Sequence, residues 1–217
     1  RDGVVGPPVA SAHGDGPETG MRMAELRAVA DAYADRLLIG EIYLPPERLV
    51  RYYGADGDGL HLPFNFGLVT SPWTAAALRA TIAGYEAVLP AGACPSWVLG
   101  NHDQPRIATR AGSDGARAAA MLLLTLRGTA TLYYGDELGL EDVPVPPDRV
   151  VDVAGRDPAR SPMPWPSGPR AGFTTGTPWL PLGPDAAERN VARQRDDARS
   201  LLALHRRLIA LRRAQPV

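Results

Sequence analysis

Apolar positions in this chain fall into short runs separated by helical stripes. Met23, Leu26, Val29, Ala30 and Tyr33 recur at the spacing of one helix face, which predicts a helix over residues 21–33. The run RLLIGE follows, short and apolar, ending on Glu41, and reads as a buried strand. Residues 46–53 suit a short helix with proline near its start. In LHLPFNFGL the alternation of Phe64, Phe66 and Leu68 predicts a strand. Ser71-Pro72 is a good helix opening, with Ser71 as N-cap and the helix running to about Leu89. SWVLG is another short apolar strand, and residues 113–127 form a helix stopped by Gly128. TATLYYG is rich in β-formers. Residues 136–187 hold many Pro and Gly and little period, an irregular excursion of the kind usually tied to function. Over residues 197–213, Leu201, Leu204, Leu208 and Leu211 share one face of an amphipathic helix.

Short apolar strands alternating with helices imply parallel β/α units, with strands covered on both faces. In such folds sites are built at the C-terminal ends of strands. This chain repeatedly sets acids there: Glu41 after LLIG, Asp103 after WVLGNH, and Asp136 and Glu137 after TLYYG. Residues 1–20 carry small, polar, Gly and Pro residues and read as an irregular segment.

Composition narrows the partners. The 217 residues carry a net charge of -1 and 22% charged residues, which gives no footprint for nucleic acid or an anionic membrane. No apolar run is long enough to span a bilayer, and the expected compartment is the cytoplasm. The one cysteine, Cys94, excludes an internal disulfide framework and a cysteine metal cluster, and a small buried thiol is its expected role. His13, His61 and His205 lack metal-ligand spacing and read as surface or packing residues. GADGDG over residues 54–59 lacks the ligand pattern of a calcium loop and reads as a turn. Trp73, Trp165 and Trp179 suit sugar stacking and ordinary packing equally well. No metal and no cofactor is expected.

Paired carboxylates at strand ends are what acetal cleavage needs. One protonated carboxyl donates to the leaving oxygen, while another carboxylate attacks or stabilises the cationic anomeric carbon. Glu41, with an apolar strand before it and Tyr43 nearby, suits the proton donor. Asp103, between polar neighbours, suits the ionised partner. Capping the next helix is an equal alternative for Asp103 taken alone.

Four segments occur in order: LLIGEIYLPPERLVRYYG, WVLGNHDQPRIATR, LLLTLRGTATLYYGDELGL and GRDPARSPMPW. Together they closely resemble the C-terminal half of the catalytic barrel of α-glucosidases in glycoside hydrolase family 13, the α-amylase family. The resemblance covers residues 21–217 and implies an α/β fold, a partial (β/α)8 TIM barrel comprising about strands five to eight with their helices. It implies that Glu41 is the general acid/base and Asp103 the transition-state stabiliser. His102 would hydrogen-bond the sugar hydroxyls, Arg160 would close the glucose subsite, and Phe64 would lie beside the aglycone. Glu41, Asp103 and Arg160 would share one rim. Asp136, Glu137, Arg106 and Arg110 would be structural, the arginines pairing with loop acids.

The family's Asp-and-Asn-His motif after the third strand and its Gly-Phe-Arg-x-Asp nucleophile motif are absent from these 217 residues, as are its calcium loop and C-terminal β domain. The expectation is a fragment of a retaining α-glucosidase acting on maltose- or isomaltose-like oligosaccharides, inactive without the nucleophile strand. Its expected partners are that oligosaccharide and the missing N-terminal half or a second copy, with neither nucleic acid nor membrane. The alternatives are a family transglycosylase and a non-catalytic, glucosidase-like assembly protein.

Overall fold

A computed structural model describes residues 15–16 and 18–215. His13 and most of the irregular segment 1–20 lie outside the described residues. The chain divides into two compact units, one formed by residues up to Asn65 with Gly84–Pro95, the other by Phe66–Ala83 with Ser96 onward.

The first unit contains helix α1 (Thr19–Asp31), strand β1 (Ile39–Gly40), helix α2 (Pro46–Leu49) running into a 3-10 turn at Val50–Tyr53, and strand β2 (Leu62–Pro63). β1 and β2 are parallel, with Ile39 opposite Leu62 and Gly40 opposite Pro63. Gly40 lies against the Leu60 and Ile42 side chains, which a Cβ there would have to push aside. Leu49, Tyr52, Tyr53, Leu60, Leu62 and Tyr85 are buried. The Tyr53 and Tyr85 hydroxyls lie 3.0 Å apart, and the Tyr53 hydroxyl donates to the Cys94 carbonyl at 2.7 Å. Burial raises the Tyr85 phenol well above its usual range. The GADGDG segment is the expected turn, closed by the Gly59 amide on the Tyr53 carbonyl.

Three expectations fail in this unit. β1 is not the buried strand expected of RLLIGE, because Leu37 before it and Ile39 on it are exposed. No residue of α1 is buried, and Leu26 and Val29 of its apolar stripe are exposed. A parallel pair of two residues per strand is too small a platform to cover a helix face. Cys94 is exposed rather than buried, because it sits on the turn before the chain turns inward at Pro95.

The second unit contains helix α3 (Gly67–Thr70), the start of helix α4 (Ala75–Val88), strand β3 (Ser96–Val98), helix α5 (Ile107–Thr125), strand β4 (Thr129–Thr131), helix α6 (Val191–Arg195) and helix α7 (Leu201–Ala214). The unit boundary falls inside α4. β3 and β4 pair in parallel, with Ser96, Trp97 and Val98 opposite Thr129, Ala130 and Thr131. Trp97 is fully buried, and its indole nitrogen donates to the Arg127 carbonyl at 2.9 Å. α5 and α7 pack through Ala108, Ala116, Ala120, Leu124, Leu201 and Leu208. Small residues on α5 and leucines on α7 interlock, and each fully buried leucine contributes about 1.5–3 kcal/mol. Ser200 caps α7, accepting from the Ala203 amide at 3.0 Å. The excursion 136–187 is irregular as expected, holding only short 3-10 turns.

Boundaries move where local chemistry competes with periodicity. The strand expected over LHLPFNFGL ends at Pro63, and Leu68 lies in α3, because the backbone at Phe66 turns (φ -83°, ψ 5°). Ser71 ends α3 instead of capping α4, and its hydroxyl meets that of Thr81 at 2.6 Å. Thr74 begins α4, its Oγ1 accepting from the Ala77 amide at 3.3 Å. α5 starts at Ile107, before the expected 113, with a break at Gly112, whose φ of 75° only glycine adopts freely. It ends at Thr125, ahead of Gly128. Leu211 of the α7 stripe is half exposed.

Candidate active site

β3 explains how Asp103 comes to the surface. Ser96, Trp97, Val98 and Leu99 are buried in sequence, Asn101 is the last buried residue, and His102 and Asp103 emerge at the C-terminal end of the strand. The Asn101 side chain accepts from the Asp103 amide at 3.1 Å, an Asx turn that fixes the tip. Pro105 then delays the helix until Ile107.

Two arginines from the excursion reach Asp103. Arg160 Nη2 donates to Asp103 Oδ1 at 3.1 Å, and its Nε donates to the His102 carbonyl at 2.9 Å. Arg156 Nη1 donates to the same Oδ1 at 3.0 Å. His102 Nε2 lies 3.3 Å from it. Asp103 Oδ1 therefore meets two guanidinium groups and one imidazole. Arg156 is gripped in turn by Asp152, and Arg160 Nη1 lies 3.4 Å from the buried Asp157. The Arg156 bonds hold the Asp152 carboxyl well below the usual range, and Asp152 holds the Arg156 guanidinium above its own.

The structure brings His102, Asp103 and Arg160 together. Sequence reading missed Arg156, Asp152 and Asp157. Arg156 and Arg160 belong to one GRDPAR motif, and their four-residue spacing was the signal that both face one way on a turn.

In the first unit Glu41 directly follows Gly40, at the C-terminal end of β1, and is exposed. Phe64 directly follows Pro63 of β2, is half-buried, and donates its amide to the Gly40 carbonyl at 2.8 Å. Glu41 and Phe64 therefore leave the same end of one parallel pair. His102 and Asp103 hold the corresponding position after β3.

The acids after β4 behave differently. Asp136 is buried, and desolvation, opposed by Arg106, pushes its carboxyl up to about 7. Its Oδ1 accepts no hydrogen bond from the described residues. Arg106 is fully buried, faces the Tyr133 and Tyr134 rings at 4.8 and 4.7 Å, and donates to the Tyr134 carbonyl at 2.7 Å. Arg110 donates to the carbonyls of Val69 and Leu99. Both arginines are structural, yet their side chains bond peptide carbonyls rather than the expected loop acids. Carbonyls left at strand and helix ends are the acceptors nearest to them.

An arginine-lined carboxylate thus stands past the C-terminal end of β3, the end at which sites of β/α folds are built. The family profile described as alpha amylase, catalytic domain, matches residues 7–217, and the chain belongs to this glycoside hydrolase family, whose catalytic domain is a TIM barrel. Among its relatives, Maltase A1 of Drosophila melanogaster is 34% identical over 92% of this chain and 38% of its own length. An oligo-1,6-glucosidase of Parageobacillus thermoglucosidasius is 32% identical over 67% of this chain and 32% of its own. The crystal structure of the α-glucosyl transfer enzyme XgtA matches with a TM-score of 0.86 and 35% identity, over 92% of this chain and 40% of that one. Trehalulose synthase MutB of Pseudomonas mesoacidophila MX-45 matches at 0.84 and 28%, over 92% and 44%. The chain spans about two fifths of the length of such relatives.

Proposed function

We propose that the chain supplies strands five to eight of a (β/α)8 barrel that hydrolyses terminal α-linked glucose from short maltose- or isomaltose-like oligosaccharides with retention. The observation that carries this reading is Asp103, at the end of a buried strand with two arginines on one of its oxygens. Glu41 protonates the leaving oxygen and then activates water, and Asp103 binds the sugar hydroxyls and stabilises the cationic transition state. His102 and Arg160 hold the glucose, and Phe64 contacts the aglycone.

Taken alone, the chain lacks a matched nucleophile and is inactive in this reading. Its partner is then the complementary N-terminal half. Exposed Leu37 and Ile39 in the first unit, and separately exposed Leu132 in the second, are apolar side chains of the kind such a half would cover. Self-association is the fallback for the same side chains, and the cytoplasm is the proposed compartment. Glucosyl transfer is the second reading, favoured by the likeness to XgtA.

The test is co-expression with the N-terminal half of a close relative. The chain alone should not turn over p-nitrophenyl α-glucoside. The complex should, and Glu41→Gln should abolish turnover while leaving the complex assembled. Robust hydrolysis by the pure chain, lost in Glu41→Gln, would disprove the need for a partner. Sucrose or maltose given with an acceptor alcohol separates hydrolysis from transfer by product.

A further inference from the structure

The two arginines on Asp103 are held in different ways. Arg160 divides its donors among the His102 carbonyl, Asp157 and Asp103. Arg156 is committed to one anchor. Asp152 accepts from Arg156 Nε at 2.9 Å, from Nη2 at 3.0 Å and from the Arg156 amide at 2.8 Å. This leaves Nη1 to reach Asp103 Oδ1 at 3.0 Å. A planar guanidinium clamped on one edge has no freedom to turn, so its remaining donor points in a fixed direction. The anchor is itself fixed, because the Asp152 amide donates to the buried Asp157 at 3.3 Å and the Ala154 amide donates to Asp152 Oδ1 at 3.3 Å.

The consequence falls on the two oxygens of Asp103. Arg156, Arg160 and His102 all meet Oδ1, and Oδ2 takes no hydrogen bond from the described residues. Turning the carboxylate would break both arginine bonds.

We propose that Asp152 and Arg156 are positioning residues: their ion pair orients Asp103 with Oδ1 held by the protein and Oδ2 presented to the sugar. The proposal deepens the glucosidase reading and rests on it for the identity of the ligand. Arg156 acts through Asp103 and needs no contact with substrate. Geometry, not charge alone, is the contribution, so lysine at 156 is no substitute, because a point charge cannot bridge two carboxylates in one plane.

Two measurements test this separately from the function. In the full chain labelled with 15N-arginine, the Arg156 Nε–Hε resonance is identified by its loss in Arg156→Lys. It should exchange with solvent slowly in the parent, and Asp152→Asn should speed that exchange by at least about tenfold. An unchanged resonance in Asp152→Asn would overturn the proposal. In the active complex with the N-terminal half, Asp152→Asn and Arg156→Lys should each lower kcat on p-nitrophenyl α-glucoside on the order of 100-fold, the scale of a misplaced reacting group, with KM nearly unchanged. Rescue of kcat by Arg156→Lys would show that charge suffices and would also overturn it. A parent complex without activity refutes the glucosidase reading and leaves the resonance to decide the positioning.

Discussion

Replacing Asp136 with asparagine should stabilise the chain at neutral and alkaline pH and do little in acid. Asp136 is 6% exposed, and burial pushes its carboxyl from 3.8 up to about 7 against the pull of Arg106. In the unfolded chain the same carboxyl ionises near its ordinary value. Between about pH 4 and 7 the folded state therefore holds a proton that the unfolded state has lost. Stability must fall as pH rises through this window, since the state that binds more protons is penalised by their removal. Going from 3.8 to about 7, at about 1.4 kcal/mol per pH unit, amounts to about 4 kcal/mol. Asparagine is neutral throughout and escapes this loss. The assay is urea unfolding of parent and Asp136→Asn at pH 4 and pH 8, followed by tryptophan fluorescence. Other carboxyls titrate alike in both proteins and cancel in the comparison. The variant should gain about 4 kcal/mol over the parent between the two pH values, with the gain appearing at pH 8. Equal destabilisation at both pH values would refute the reasoning, because it would mean that the ionised carboxylate is a net stabiliser held by Arg106.

Two further outcomes test the packing and the caps. Trp97→Ala removes the largest fully buried side chain of β3 and its bond to the Arg127 carbonyl, and should cost about 3–5 kcal/mol, read as a lowered urea midpoint or loss of soluble protein. A midpoint within error of the parent would place Trp97 outside the core. Ser200→Ala removes the α7 cap and a bond to the Gln194 carbonyl, and should cost about 1 kcal/mol, with Ser200→Thr, which keeps a hydroxyl that both donates and accepts, recovering most of it in thermal melts.

What could be read from the chain was local. WVLG announces a buried strand by its composition, Asn-His-Asp announces a polar tip, and Ser200 with the leucines at 201, 204 and 208 announces a capped amphipathic helix. Each signal depends on neighbours within about one turn, where backbone geometry ties sequence spacing to direction. The resemblance of four ordered motifs to the α-amylase family, rather than spacing, made Glu41, His102, Asp103 and Arg160 candidates together. The errors also lie at this scale. Phe64, Phe66 and Leu68 alternate as a strand would, yet a turn at Phe66 takes the chain into α3, because a three-residue alternation carries too little energy to resist it.

The rest was decided by tertiary structure. Asp103 meets Arg156 and Arg160 across separations of 53 and 57 residues, and no periodicity encodes which carboxylate a distant guanidinium will choose. Arg106 looks like a loop cation in sequence and is fully buried against two tyrosine rings. Asp136 looks like another acid of the rim and is driven toward neutrality by desolvation, which depends on how many atoms surround it rather than on its neighbours in the chain. The stripe of α1 shows the converse. Its spacing promises a buried face, but burial needs a partner surface, and two strands of two residues each do not provide one.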